Sequence, residues 1–238
     1  QSYFEYQVII LIINNYLKKK LIEMIINALI PLRSKSKRIK NKNIQILKNK
    51  PLYKIVLDEA LKSKLITNVF IATDDSNIKS YNKKMKIFSR SKKSATNKAQ
   101  TEIVINEFLL KNNCDYLIVI QATNPFLKKE HLDRAIMKIT KNKYDSLVSV
   151  VNTKFFIWKK IKTICKPLNY LLSKRPRSQD IKENQLIENG SFYIFKRKNF
   201  LKYNNRLHGK ITYYTMPKES LFEIDEKEDL KIVRNILN

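Results

Sequence analysis

Glycine is almost missing: the 238 residues hold only Gly190 and Gly209. Dinucleotide loops of the G-x-G-x-x-G type, Walker A loops and G-x-S-x-G nucleophile elbows each need at least two closely spaced glycines, so all three are excluded. Histidine and cysteine are as scarce, with two of each. His131 and His208 lie too far apart for an H-E-x-x-H site, and Cys114 and Cys165 cannot supply a four-cysteine zinc site. Their spacing is not a redox spacing, which places reduced thiols in a cytoplasmic protein. Long apolar runs are missing too. Val8 to Ile13 falls far short of the roughly 20 residues of a membrane span. It also lacks a signal-peptide order, because lysines follow the run instead of preceding it. No membrane partner is expected.

What is abundant is positive charge: 48 Lys and Arg against 21 Asp and Glu, a formal net charge of +27. Such an excess can serve nucleic acid. Here the lysines are scattered through almost every segment and carry no RNP-type aromatics, heptads or zinc-finger spacing, so no specific nucleic-acid partner is expected. Hydrophobic residues make up 43% of the chain, enough for a packed core. At roughly 150 residues per domain, the length predicts one sizeable core, with a subdomain at most. Met24 stands directly before an apolar, strand-like run. Residues 1–23 are therefore expected to be a non-native extension without catalytic importance, and 24–238 the functional domain.

From Met24 onward strands and helices alternate. Ile25 to Pro31, Val69 to Ala72, Tyr116 to Ile120 and Asp145 to Val151 read as buried strands. Pro51 opens a helical segment with Leu52, Val56, Ala60 and Leu61 at helical spacing. Thr101 to Leu110 reads as a helix with Thr101 as N-cap, and Lys129 to Lys141 as another, with His131 exposed near its start. Strand character returns at Ser191 to Phe195 and Ile211 to Met216, and Lys227 to Leu237 closes the chain as a helix. The alternation predicts a doubly wound, mostly parallel α/β sheet. Residues 152–188, with Phe155, Phe156 and Trp158, break the pattern and are expected to protrude as an arm.

In such folds the ligand sits beyond the carboxyl ends of the strands. Three polar clusters lie there: Arg33 to Asn43, Thr73-Asp74 and Gln121 to Pro125. The first reads RSKSKRIKNKN. Its guanidinium and ammonium groups can neutralise a triphosphate without a glycine-rich turn, although a solvated basic loop would look the same. Glu223 and Asp225 offer two hard oxygen donors, as a hard metal ion requires; side chains two apart on a strand share a face. An acidic cluster at a helix N-terminus is the other reading of that pair.

Taken in order, the clusters resemble the acylneuraminate cytidylyltransferases, which make CMP-activated nonulosonic acids. The I-P-A-R-x-x-S-K-G-I-x-x-K-N motif is matched by Ile30, Pro31, Arg33, Ser36, Lys37, Ile39, Lys42 and Asn43. Lys50-Pro51-Leu52 matches K-P-L, and Ala72-Thr73-Asp74 is similar to S-T-D. Gln121-Ala122-Thr123-Asn124-Pro125 stands for Q-P-T-S-P. Val148-Ser149-Val150, Arg177-Ser178-Gln179-Asp180 and Glu188-Asn189-Gly190 follow V-S-V, R-R-Q-D and E-N-G. Glu223-Ile224-Asp225 resembles the closing D-I-D. The series spans about Met24 to Leu237. It departs from the pattern at Lys35 and Arg38, which replace loop glycines, at Ala122, and at Glu223, one methylene longer than Asp. No aromatic pair of the kind some members use for the acyl group lies near His208.

The resemblance implies a Rossmann-like nucleotidyltransferase that transfers CMP from CTP to the anomeric hydroxyl of a nonulosonic acid and releases pyrophosphate. It implies that Arg33, Ser36, Lys37 and Lys42 hold the triphosphate, with Asn43 beside the nucleotide and Arg90 and Thr101 at the cytidine. Gln121, Thr123, Asn124 and Asn189 would meet the sugar. Lys159 and Arg177 would lie on a homodimer arm that reaches the neighbouring site. Glu223 and Asp225 would hold Mg²⁺, and Arg33, Lys37 and Asp225 would carry catalysis. An octulosonate-type sugar acid, or a non-enzymatic basic module for phosphate or RNA, are the alternatives.

Overall fold

A computed structural model describes residues 23–34, 38–181 and 185–237. The expected extension, apart from Glu23, lies outside the described residues, as do Lys35, Ser36 and Lys37 of the first loop and 182–184 of the expected arm.

Chain order runs β1 (Ile26–Leu32), β2 (Ile46–Leu47), β3 (Lys50–Pro51), α1 (Leu52–Lys62), β4 (Asn68–Thr73), β5 (Met85–Ser89), α2 (Thr101–Lys111), β6 (Tyr116–Ile120) and α3 (Lys129–Lys141). It continues with β7 (Ser146–Thr153), β8 (Trp158–Ile161), β9 (Ile164–Pro167), β10 (Gln185–Lys196), α4 (Arg197–Tyr203), β11 (Ile211–Thr215) and α5 (Lys227–Leu237). Seven strands form one sheet in the order β11-β7-β10-β6-β1-β4-β5. β6, β1, β4 and β5 are mutually parallel, and β11 is parallel to β7. β10 alone runs antiparallel, between β6 and β7. The mostly parallel, doubly wound reading is met, with one reversed strand that the apolar pattern of Ser191 to Phe195 could not disclose.

β1 and β6 are buried along nearly their whole length because helices cover both faces of the sheet. On one face Ile26, Ala28 and Ile30 pack with Val56, Leu57 and Ala60 of α1 and Leu132, Ala135 and Ile136 of α3. On the other, Leu29 and Val119 pack with Val104, Ile105 and Phe108 of α2 and Phe200 of α4. Alternate strand residues thus feed opposite cores, as a period of two demands. A smaller cluster joins Ile39, Leu47, Leu52 and Phe126 to Ile224, Leu230 and Val233, and it ties the first loop to α5.

Three local readings change. Gln100, not Thr101, is the N-cap of α2, and Thr101 is its first helical residue. His131 is half-buried rather than exposed: its Nδ1 accepts a hydrogen bond from the Lys128 N–H at 3.2 Å and closes the first turn of α3. Burial of that ring disfavours its charged form and lowers its pKa. Glu223 and Asp225 lie not on a strand but on the irregular segment between the 3-10 turn Lys218–Leu221 and α5. Ile224 between them is fully buried.

β8 and β9 pair only with each other, in a separate two-stranded sheet whose residues are almost all exposed. Around this hairpin the Phe156 and Trp158 rings meet Tyr170 edge-on, and the Arg175 guanidinium lies 4.3 Å from the Phe156 centroid.

Candidate active site

β1, β4, β5 and β6 all end at one edge of the sheet, so the polar segments that follow them meet there. They are joined by hydrogen bonds: the Ser34 N–H and Oγ donate to Asp74 at 2.8 and 2.6 Å, and Asn43 Nδ2 donates to the Arg33 carbonyl at 3.2 Å. Burial works against the Asp74 carboxylate, but the two bonds from Ser34 hold its pKa below the usual range.

Between these segments opens a cleft of about 330 Å³. Arg33, Lys42, Asn43, Arg90, Thr101, Gln121 and Thr123, all expected at the nucleotide or the sugar, line it together with Asn97 and Ala99. Asn97 had no motif to announce it, yet its carbonyl accepts from Arg33 Nη1 at 3.3 Å. Arg90 points a cation into this space. Its backbone N–H donates to the Thr73 carbonyl at 3.0 Å, and its Nη2 bonds the Ser94 carbonyl. Its Nε is buried without a partner among the described residues. Burial lowers its pKa, with Asp74 opposing and Arg33 adding to the effect. The turn below it is tied to α2, where Ser94 Oγ donates to Glu107 at 2.7 Å.

Glu223 and Asp225 stand beside the cleft, and their surroundings differ. Thr123 Oγ1 donates to Glu223 Oε1 at 2.6 Å, and the Ile224 N–H donates to the Thr123 carbonyl at 2.9 Å. Burial pushes the Glu223 pKa up and the negative Asp225 adds to this, while Thr123 opposes it. Asp225 is held the other way. Burial would raise it, but Lys42 Nζ at 2.8 Å and Arg38 Nη2 at 3.0 Å outweigh that and keep it ionised. Ahead of α5 it is Asp229 that accepts the backbone donors: its Oδ2 accepts the N–H groups of Asp225 and Glu226 at 2.9 and 2.7 Å.

Asn124 and Asn189, expected to meet the sugar, are turned into the protein. Asn124 Nδ2 donates to the carbonyls of Asn189 and Ser220 at 2.9 and 2.7 Å. Asn189 Nδ2 donates to Ser220 Oγ at 2.9 Å, and its Oδ1 accepts from Ser149 Oγ at 2.7 Å. Both are buried and bond to protein groups there. The reason is a β-bulge: pairing of β10 with β7 shifts register between Glu188 and Tyr193, and side-chain amides there replace lost ladder bonds. Gly190 sits in that bulge at φ +62°.

Lys159 and Arg177 are not in the cleft. Both are exposed, in the segment 152–188 expected to be an arm, where Arg177 forms a bidentate pair with Asp180. Ser36 and Lys37 lie outside the described residues. No cluster of three or more metal-ligating side chains occurs among the described residues. No helix there is long and apolar enough to cross a membrane.

A cationic cleft at the carboxyl edge of the sheet, faced by two carboxylates, is the setting in which the whole chain can be compared with known proteins. A family pattern described as Cytidylyltransferase matches residues 27–237. The chain belongs to the cytidylyltransferase family. It is 36% identical over 207 residues to N-acylneuraminate cytidylyltransferase A of Danio rerio, covering 84% of this chain and 48% of that protein. To the N-acylneuraminate cytidylyltransferase of Escherichia coli O18:K1:H7 it is 28% identical over 222 residues, 88% of this chain and 51% of that one. The 3-deoxy-manno-octulosonate cytidylyltransferase of Thermodesulfovibrio yellowstonii is 28% identical over 225 residues, with 89% and 87% covered. The chain thus spans about half the length of the N-acylneuraminate relatives and most of the octulosonate one. Among solved structures, a CMP:2-keto-3-deoxy-manno-octonic acid synthetase complexed with CTP matches 90% of this chain and 98% of its own. Its TM-score is 0.65 at 16% identity, which bears on the fold alone.

Proposed function

We propose that the chain transfers CMP from CTP to the anomeric hydroxyl of a nonulosonic acid and releases pyrophosphate. The observation that carries this is the pairing of a cleft lined by Arg33, Lys42 and Arg90 with a carboxylate pair at its side. Both substrates are anions, so they repel until cations neutralise them. Arg33 and Lys42 supply that charge at the triphosphate, and Arg90 and Thr101 flank the nucleoside. Gln121 and Thr123 mark the junction with the sugar. Thr123 holds Glu223 in place, and Asn124 and Asn189 tie down the neighbouring Ser220 and β10 backbone. Phosphoryl-group chemistry is then mostly positioning and charge stabilisation.

Two carboxylates with substrate phosphate oxygens are a sufficient donor set for Mg²⁺. Glu223 and Asp225 fit it: they are close enough that the charge of Asp225 raises Glu223. Bound there, Mg²⁺ would neutralise phosphate charge and help align the sugar hydroxyl. Ser36 and Lys37 belong to the triphosphate group by motif. Residues 152–188 act as a dimer arm in this reading, bringing Lys159 and Arg177 to the partner's cleft. Two free cysteines, one buried and one exposed, suit the cytoplasm.

The test is pyrophosphate release from CTP with Mg²⁺ across a panel of nonulosonic and octulosonic acids, with ATP, GTP and UTP as controls. CTP-selective release with a nonulosonic acid is expected. Release only with an octulosonate would move the substrate class. Absence of release with every acid would overturn the activity.

A further inference from the structure

Arg38 stands where the family's motif has glycine, and it is not an idle replacement. Its Nη2 lies 3.0 Å from Asp225 Oδ2, while Lys42 Nζ takes Oδ1 at 2.8 Å. Each oxygen of the carboxylate assigned to Mg²⁺ therefore already carries a cation. The two cations are not equivalent. The Lys42 side chain is 16% exposed and held in the cleft wall, whereas that of Arg38 is 59% exposed. A metal ion on Asp225 would repel the guanidinium. Of the two, Arg38 is the one with room to leave.

Resting on the proposed function, we infer that Arg38 is a phosphate-binding residue that competes with the divalent ion for Asp225. When metal and nucleotide arrive together, Arg38 gives up Asp225 and turns its planar fork to phosphate oxygens, for which guanidinium geometry is suited. A glycine offers only a backbone N–H there. Arg38 thus couples metal entry to nucleotide entry: metal alone must displace a salt bridge with nothing in return, and metal with CTP gives the freed guanidinium a new partner.

The coupling predicts effects of opposite sign from one substitution. Mn²⁺ binding without nucleotide, followed by electron paramagnetic resonance, should be about tenfold tighter for Arg38→Gly than for the parent. CTP binding with Mg²⁺, followed by calorimetry, should be about tenfold weaker. Arg38→Lys should fall between on both measures, since it keeps the charge and loses the fork. A residue with only a structural role would not tighten one ligand and loosen the other. Mn²⁺ binding no tighter than the parent's, or CTP affinity unchanged, overturns the inference. A parent protein that binds no CTP instead sinks the proposed function, and with it the phosphate role; the nucleotide-free Mn²⁺ arm would still judge the competition at Asp225.

Discussion

Gly190 faces Glu223 so closely that a Cβ at that position would lie 2.9 Å from Glu223 Cδ and overlap its carboxylate. One of the chain's two glycines is thus fixed by one of its two metal-assigned acids. Gly190→Ala meets two penalties. The left-handed backbone costs roughly 1–2 kcal/mol for a residue with a side chain, and the carboxylate must move away from Thr123. We expect a stability loss of about 2 kcal/mol in urea unfolding and a fall in turnover of tenfold or more. Stability loss with turnover intact would mean that the position of Glu223 is not needed for chemistry.

Arg90 lines the cleft with Arg33 and Lys42. A guanidinium there can form charge-assisted bonds to an anionic ligand. Arg90→Ala should weaken CTP binding by about 10- to 100-fold, the value of one or two charge-assisted bonds. Calorimetry with CTP tests it. An affinity within twofold of the parent would remove Arg90 from the nucleotide site.

Arg33, Lys42, Asn43, Arg90, Thr101, Gln121 and Thr123 share one cleft because they follow parallel strands, whose carboxyl ends share an edge. What the sequence hid has physical causes. β5 is an edge strand with only Met85 and Phe88 buried, so its pattern is broken. β8 and β9 are nearly all exposed and leave no apolar alternation to read. Asn124 and Asn189 belong to site motifs but face inward, since the bulge in β10 strands backbone groups that only side-chain amides can reach. Arg38 stands in the motif only as a replaced glycine, and its contact with Asp225 depends on the fold of residues far along the chain.

Asp145 joins the start of β7 to the segment before β11. The Lys210 N–H donates to its Oδ2 at 2.9 Å, and Lys196 Nζ and Asn199 Nδ2 reach Oδ1 at 2.9 and 3.1 Å. The Lys210 bond, then Lys196, pulls its pKa down to about 2. A depressed carboxylate pKa stabilises the fold above its unfolded value, and that contribution fades as pH falls toward the folded value. Asp145→Asn should therefore be less stable than the parent near neutral pH, by about 1 kcal/mol once solvent screening is counted. The gap should close as pH falls from about 4 toward 2. Urea unfolding at several pH values checks this, and a gap constant down to pH 2 would show that the loss comes from geometry and not from charge.

The arm exposes Trp158, Ile164, Leu171 and Leu172, the last two at 67% each. Apolar side chains grouped on one protrusion are expected to be covered by another surface. The proposed cover is a second copy, with Arg177 entering the partner's cleft while Asp225 stays in its own. If each site is shared, Arg177→Ala on one subunit and Asp225→Ala on the other fall in the same site of a mixed dimer. Each variant alone should be nearly inactive. Co-expressed, half of the dimers are mixed, and each of these has one site free of both changes, so about a quarter of parental activity should return. Sedimentation at micromolar concentration should show the dimer in all three preparations. A dimer whose mixture stays inactive would confine every catalytic group to one chain and reduce the arm to a structural contact; a monomer would remove the arm's role altogether.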